Sequence, residues 1–99
     1  MDKKETVSAL WKMESRAHAF IEMVAALKNE SFCKCPADRN RIDAWIGELR
    51  GSVAVIQTAW NLIETYKEDL ELNKALYKNA LAQFEKTANK VIDGVKLNG

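Results

Sequence analysis

Apolar residues recur along this chain at helical spacing. Leu10, Ala17 and Val24 form one seven-residue ladder and Met13, Phe20 and Leu27 another, with Val7, Trp11 and Ile21 beside them. Residues three, four and seven apart share a helix face, so one apolar stripe runs over nearly four turns. Asp2 precedes Glu5 by three residues, the spacing at which a short acceptor and a carboxylate satisfy the free amides of a first turn, and predicts a helix start there. Lys28 and Asn29 suit a helix C terminus. The stripe then lapses until Pro36, whose missing amide is no loss at the first position of a helix, and Asp38 suits the positive end of the same helix. A second start is therefore expected at Cys35 or Pro36.

From there Ile42, Leu49, Ile56, Ile63, Leu70, Tyr77, Phe84 and Val91 repeat every seven residues without a slip. Such a repeat implies helices wound around one another. The candidate breaks are Gly51-Ser52 and the polar stretch 67–74, where Asp69 can cap a new helix. The expected organisation is a single helical domain: a helix over about 3–29, a loop over 30–35, a helix over about 36–68, and a helix or its continuation over about 70–96. A bend near residue 32 would bring Phe20 to Trp45 and Trp11 to Gly51 and Val53, with Gly47 and Gly51 making room for a bulky neighbour. An unbroken second helix would reach roughly 90 Å against about 40 Å for the first. The apolar positions of residues 62–95 then need cover from a third helix or from another chain. The fold class is all-α, a helical hairpin extended into a three-helix bundle or into a long antiparallel coiled-coil-like assembly. Because no glycine or proline marks a turn within 67–74, a homo-oligomer is the favoured expectation.

Composition narrows the functional classes. Lys plus Arg is 15 against Asp plus Glu at 14, so no overall field draws the protein to nucleic acid or to an anionic membrane. No apolar run approaches the roughly 20 residues that span a bilayer, and the first residues carry no signal-peptide core. A cytoplasmic protein without membrane partners is expected. Two cysteines, Cys33 and Cys35, are too few and too close for the disulfide framework of a secreted scaffold.

Several constellations invite a chemical reading. Glu14, His18 and Glu22 are spaced by four, as a divalent metal could use, but bundle metal sites draw on several helices and commonly a Glu-x-x-His spacing. A polar flank on which His18 pairs with one glutamate is expected instead, and no metal or cofactor is assigned. Cys33-Lys34-Cys35 is half of a thiolate site, although Cys35 beside a helix start and Lys34 is a candidate reactive thiol. Lys34, Arg39, Arg41 and Arg50 form the best local candidate for an anion or an acidic partner surface, with Asp38, Asp43 and Glu48 interleaved. Glu64, Glu68 and Glu71 make a stripe of opposite sign. Trp11, Trp60, Tyr77 and Phe84 are the candidate interface anchors.

Trp45-Ile46-Gly47 is similar to the Trp-x-Gly of the WXG-type secreted helical hairpins, which in that family lies at the bend between two helices. Here the tripeptide falls inside a heptad after the Pro36 start, and neither Tyr66 nor Tyr77 is followed four residues on by the acid of that family's export signal. The chain is not assigned to the family. With no triad, nucleotide-binding glycine loop or paired carboxylates, no catalytic residues are assigned and enzymatic function is not expected. The leading reading is a non-catalytic adaptor or small inhibitor that binds another protein. The alternative is a nucleotide or nucleic-acid binding module built on Arg39, Arg41 and Arg50.

Overall fold

The computed structural model describes residues 2–29, 35–66 and 68–98. Each helix begins where a local acceptor can take its first amides. Asp2 Oδ1 accepts the Glu5 amide at 2.8 Å and opens α1, Lys3–Ala26, which ends in a 3₁₀ turn over Leu27–Asn29. α2, Pro36–Thr65, starts with proline in its first turn behind an extended Cys35, whose carbonyl accepts from Asp38 at 3.1 Å and from Arg39 at 3.3 Å. α3, Leu70–Asn98, is capped by Asp69, whose carboxylate takes the Leu72 amide at 3.1 Å and whose carbonyl takes the Asn73 amide at 2.9 Å. Residues 36–98 are thus two helices. An unbroken helix over them would span roughly 90 Å, whereas the longest dimension of the fold is 51 Å. α3 folds back, and the result is a three-helix bundle in which α2 runs against both of its neighbours.

The core is continuous but has two centres. Toward the α2–α3 turn, Val7, Leu10, Met13 and Ala17 of α1 meet Val53, Ile56, Ala59 and Ile63 of α2 and Ala80 of α3. Toward the α1–α2 connection, Val24 meets Ile42, Trp45, Ile46, Leu49 and Val91. Ile21 and Phe84 pack against both groups. Within residues 62–95, Ile63, Ala80 and Val91 are buried inside the chain, while Tyr66, Leu70, Leu72 and Ile92 stay exposed. Tyr77 and Phe84, expected at an interface, lie half-buried against the core.

Three expectations about register are corrected. Lys3 reaches Glu68, Trp11 stacks on Trp60 rather than nearing Gly51 and Val53, Glu14 meets Gln57 and Lys28 pairs with Asp43. The α1–α2 pairing is slipped by about seven residues from the one a bend at residue 32 implies, and a slip of one heptad keeps apolar faces aligned, so the apolar repeat alone does not select it. Phe20 accordingly meets Phe84, edge to face at 6.5 Å. The glycines also exchange roles. A Cβ on Gly47 or Gly51 would meet nothing within 4 Å, while one on Gly94 would come within 2.5 Å of Trp45 Cζ2, so the residue that makes room for an indole lies on α3. Finally, Leu70 is 56% exposed although Ile63 and Val91 of the same ladder are buried. α3 turns inward its small residues Asn73 and Ala80, with Thr87 and Gly94 in the same register, and this lets its backbone approach the other two helices.

Candidate functional site

An open cleft of about 600 Å³ lies beside the α2–α3 turn, lined by Val7 and Trp11 together with Asp2, Lys3, Lys4, Ser8, Glu64 and Glu68. Trp11 is 50% exposed. Its ring meets that of Trp60 edge to face, with centroids 6.0 Å apart and planes at 82°, an arrangement the indole quadrupole favours. Trp60 is itself fixed, because its Nε1–H donates to Glu14 Oε1 at 2.8 Å. The other oxygen of Glu14 accepts from Gln57 Nε2 at 3.3 Å and lies 3.7 Å from His18 Nε2. Glu14 thus serves three partners across two helices, and Trp11 is presented on a rigid backing.

Lys3 builds the other wall. Its amide donates to Glu68 Oε1 at 2.9 Å, and its Nζ reaches the carbonyls of Glu64 at 3.2 Å and Tyr66 at 3.4 Å. These carbonyls belong to the last turn of α2 and to its C-cap residue, where intrahelical donors run out and a cation is favoured. A lysine on α1 therefore completes the end of α2. Nothing local in the sequence points to this contact, because its partners lie more than sixty residues away.

A second apolar surface lies between α1 and α3, where Phe20, Met23, Val24, Leu27, Val91, Ile92 and Val95 line a shallow groove with Lys96 at its edge. Met23 and Ile92 are exposed there. The sequence does not point to it, since Phe20, Val24, Leu27 and Val91 fall in apolar ladders read as core, and Met23 and Ile92 stand outside them.

The arginines do not converge. Arg39, Arg41 and Arg50 are all exposed on α2. At 3.6 residues per turn Arg39 and Arg50 share a face, while Arg41 points about 200° away from Arg39. Arg50 lines a small depression with His18 and Glu22. Lys34, the fourth member of that proposed site, and Cys33 lie outside the described residues. Cys35 is exposed and forms no disulfide among the described residues. Nor, among these residues, do three or more His, Cys, Asp or Glu side chains converge as metal ligands would. No protein-family model matches the chain, and no curated protein or solved structure matches it either. The Trp45-Ile46-Gly47 tripeptide sits within α2, with Trp45 and Ile46 buried, so it packs the bundle and marks no bend. Among the described residues no helix is long and apolar enough to cross a membrane.

Proposed function

We propose that the protein is a non-catalytic helical module that binds another protein through the Trp11 cleft. The observation that carries this reading is a half-exposed tryptophan lining this cleft. Trp is among the residues that most often dominate binding energy, typically at an apolar centre ringed by polar groups that exclude water. The Trp60–Glu14 contact supports the reading, because a side chain already held in place loses less entropy on binding. The charges lining the cleft have both signs, which suits a partner with a polar margin better than a polyanion. The solitary imidazole, His18, is drawn toward Glu14 and stands apart from the cleft.

The test is affinity capture from cell extract with wild-type protein and with Trp11→Glu, analysed by mass spectrometry at low salt and at about 0.5 M salt. A protein partner retained at both salt concentrations by wild type and lost with Trp11→Glu is expected. Capture of nucleic acid that disappears at high salt and is insensitive to Trp11→Glu would overturn this reading in favour of Arg39, Arg41 and Arg50, because phosphate contacts weaken steeply with salt.

A further inference from the structure

The turn between α2 and α3 interrupts a ladder that continues through it in the sequence. Ile56, Ile63, Leu70, Tyr77 and Phe84 keep their seven-residue spacing across the turn, and so do Ala59, Tyr66, Asn73 and Ala80. A turn that excludes the straight form would carry glycine or proline. Residues 66–69 instead read Tyr-Lys-Glu-Asp, and no described residue has positive φ. Tyr66 leaves α2 through an extended conformation, φ −101° and ψ 164°, which any residue can adopt. The bend is held by polar contacts: the Asp69 carboxylate accepts the Leu72 amide, the Lys3 amide donates to the Glu68 carboxylate, and the Lys3 ammonium donates to the Glu64 and Tyr66 carbonyls. Across these two ladders Tyr66 and Leu70, which flank the bend, are 60% and 56% exposed, while Ile56, Ala59, Ile63, Asn73 and Ala80 are buried and Tyr77 and Phe84 are half-buried.

We propose that this turn is a hinge through which the protein exchanges α3 with a second copy of itself. In the exchanged dimer α2 and α3 straighten into one helix over residues 36–98, and each α3 takes the place on the other copy's α1–α2 pair that its own α3 occupies in the closed form. Every closed contact of α3 is remade between copies, which is what makes exchange of an identical element a low-cost route to dimers. A new apolar interface forms at the two-fold axis, where Tyr66 and Leu70 of both copies meet on the continuous seam. Straightening also gives the Glu64 and Tyr66 carbonyls new donors, the amides of Glu68 and Leu70 four residues on. Lys3 and Asp69 therefore favour the closed form, and the apolar ladder favours the exchanged one. A dimer formed instead across the α1–α3 groove of Met23 and Ile92 would leave α3 in its own chain.

The experiment refolds the full chain from denaturant at high and at low protein concentration and separates the products by size with light scattering. A dimer is expected after concentrated refolding, increased several-fold by combining Lys3→Ala with Asp69→Ala. Leu70→Pro should abolish it, since proline is accepted at the first position of α3 but breaks a continuous helix. If Leu70→Pro lowers the helical signal of the monomer, two glycines inserted between Glu68 and Asp69 give the same reading. Exchange is read directly from a mixture of isotopically labelled and unlabelled chains. Carbodiimide coupling of Lys90 Nζ to Glu48 Oε1, 2.8 Å apart, should yield mixed-label peptides from the dimer alone. The proposal is overturned if every variant stays monomeric after concentrated refolding. It is equally overturned by a dimer that survives the hinge variants, or by one whose Lys90–Glu48 link never mixes labels.

Discussion

The two ends of the bundle are packed on different terms. Near the α1–α2 connection the core closes by shape: the Trp45 indole lies against the bare backbone of Gly94, with Ile42, Leu49 and Val91 buried beside it. At the α2–α3 turn the interior admits Thr6 and Asn73, Asn73 Nδ2 has no hydrogen-bond partner among the described residues, and Trp11, Tyr66 and Leu70 face solvent. Its architecture depends on Lys3, Glu14 and Asp69. A close-packed contact has no substitute, since a void forfeits its dispersion partners outright. A hydrogen bond near solvent can be traded for another at a net difference of only about 1 kcal/mol. One end is therefore fixed by shape, and the other by polar contacts that can be exchanged.

The largest effect expected from this contrast is at Trp45. Trp45→Ala should cost about 3 to 5 kcal/mol in urea denaturation, the usual range for emptying a buried aromatic site. A loss below about 1 kcal/mol would mean that the indole is not the centre of that end. Gly94→Ala should destabilise by about 1 to 3 kcal/mol, because overpacking against a rigid ring outweighs the improved helix propensity. The same exchange at Gly47 or Gly51, where there is open space, should stabilise by up to about 1 kcal/mol. Equal effects at the three glycines would erase the distinction between the shape-packed contact and open helix surface.

At the other end, Asn73→Leu keeps the branched outline of the side chain and removes a buried donor without a partner. A gain of about 1 to 2 kcal/mol is expected, visible as a rise in melting temperature of roughly 4 to 8 °C per kcal/mol for a domain of this size. A fall would mean that the carboxamide is needed where it lies. The smallest effect belongs to the exposed arginines: Arg39→Ala combined with Arg41→Ala should leave stability within about 0.5 kcal/mol of wild type. If that double variant unfolds, the arginines belong to the fold.

Single residues of the candidate cleft can be picked out from the sequence, whereas their pairings cannot. Trp11 stands out as an aromatic residue at the edge of its stripe, and the structure leaves it half in solvent, lining a cleft. Trp60, singled out for the same reason, supplies the backing of that cleft because Glu14 holds its Nε1–H. Glu14 itself drew notice only as a neighbour of His18. Its contacts with Gln57 and Trp60 depend on which heptad of α1 faces which heptad of α2, and the apolar pattern repeats too regularly to say.

The features legible in the chain alone are local. Asp2, Pro36 and Asp69 mark helix starts because a side-chain acceptor or a missing amide acts within three or four residues, and all three stand at helix starts. The seven-residue ladder establishes an all-helical, multi-helix core, since periodicity alone sets which residues share a face. Packing in three dimensions selects the fold-back of α3, the one-heptad slip of α1 against α2, the inward face of α3 and the use of Gly94 to receive an indole. Each is a choice among arrangements that bury nearly the same apolar residues. Their differences therefore rest on a few distant contacts, such as Lys3 with Glu64 and Tyr66, Glu14 with Trp60 and Trp45 with Gly94, and a contact between residues tens of positions apart leaves no periodic trace in the chain.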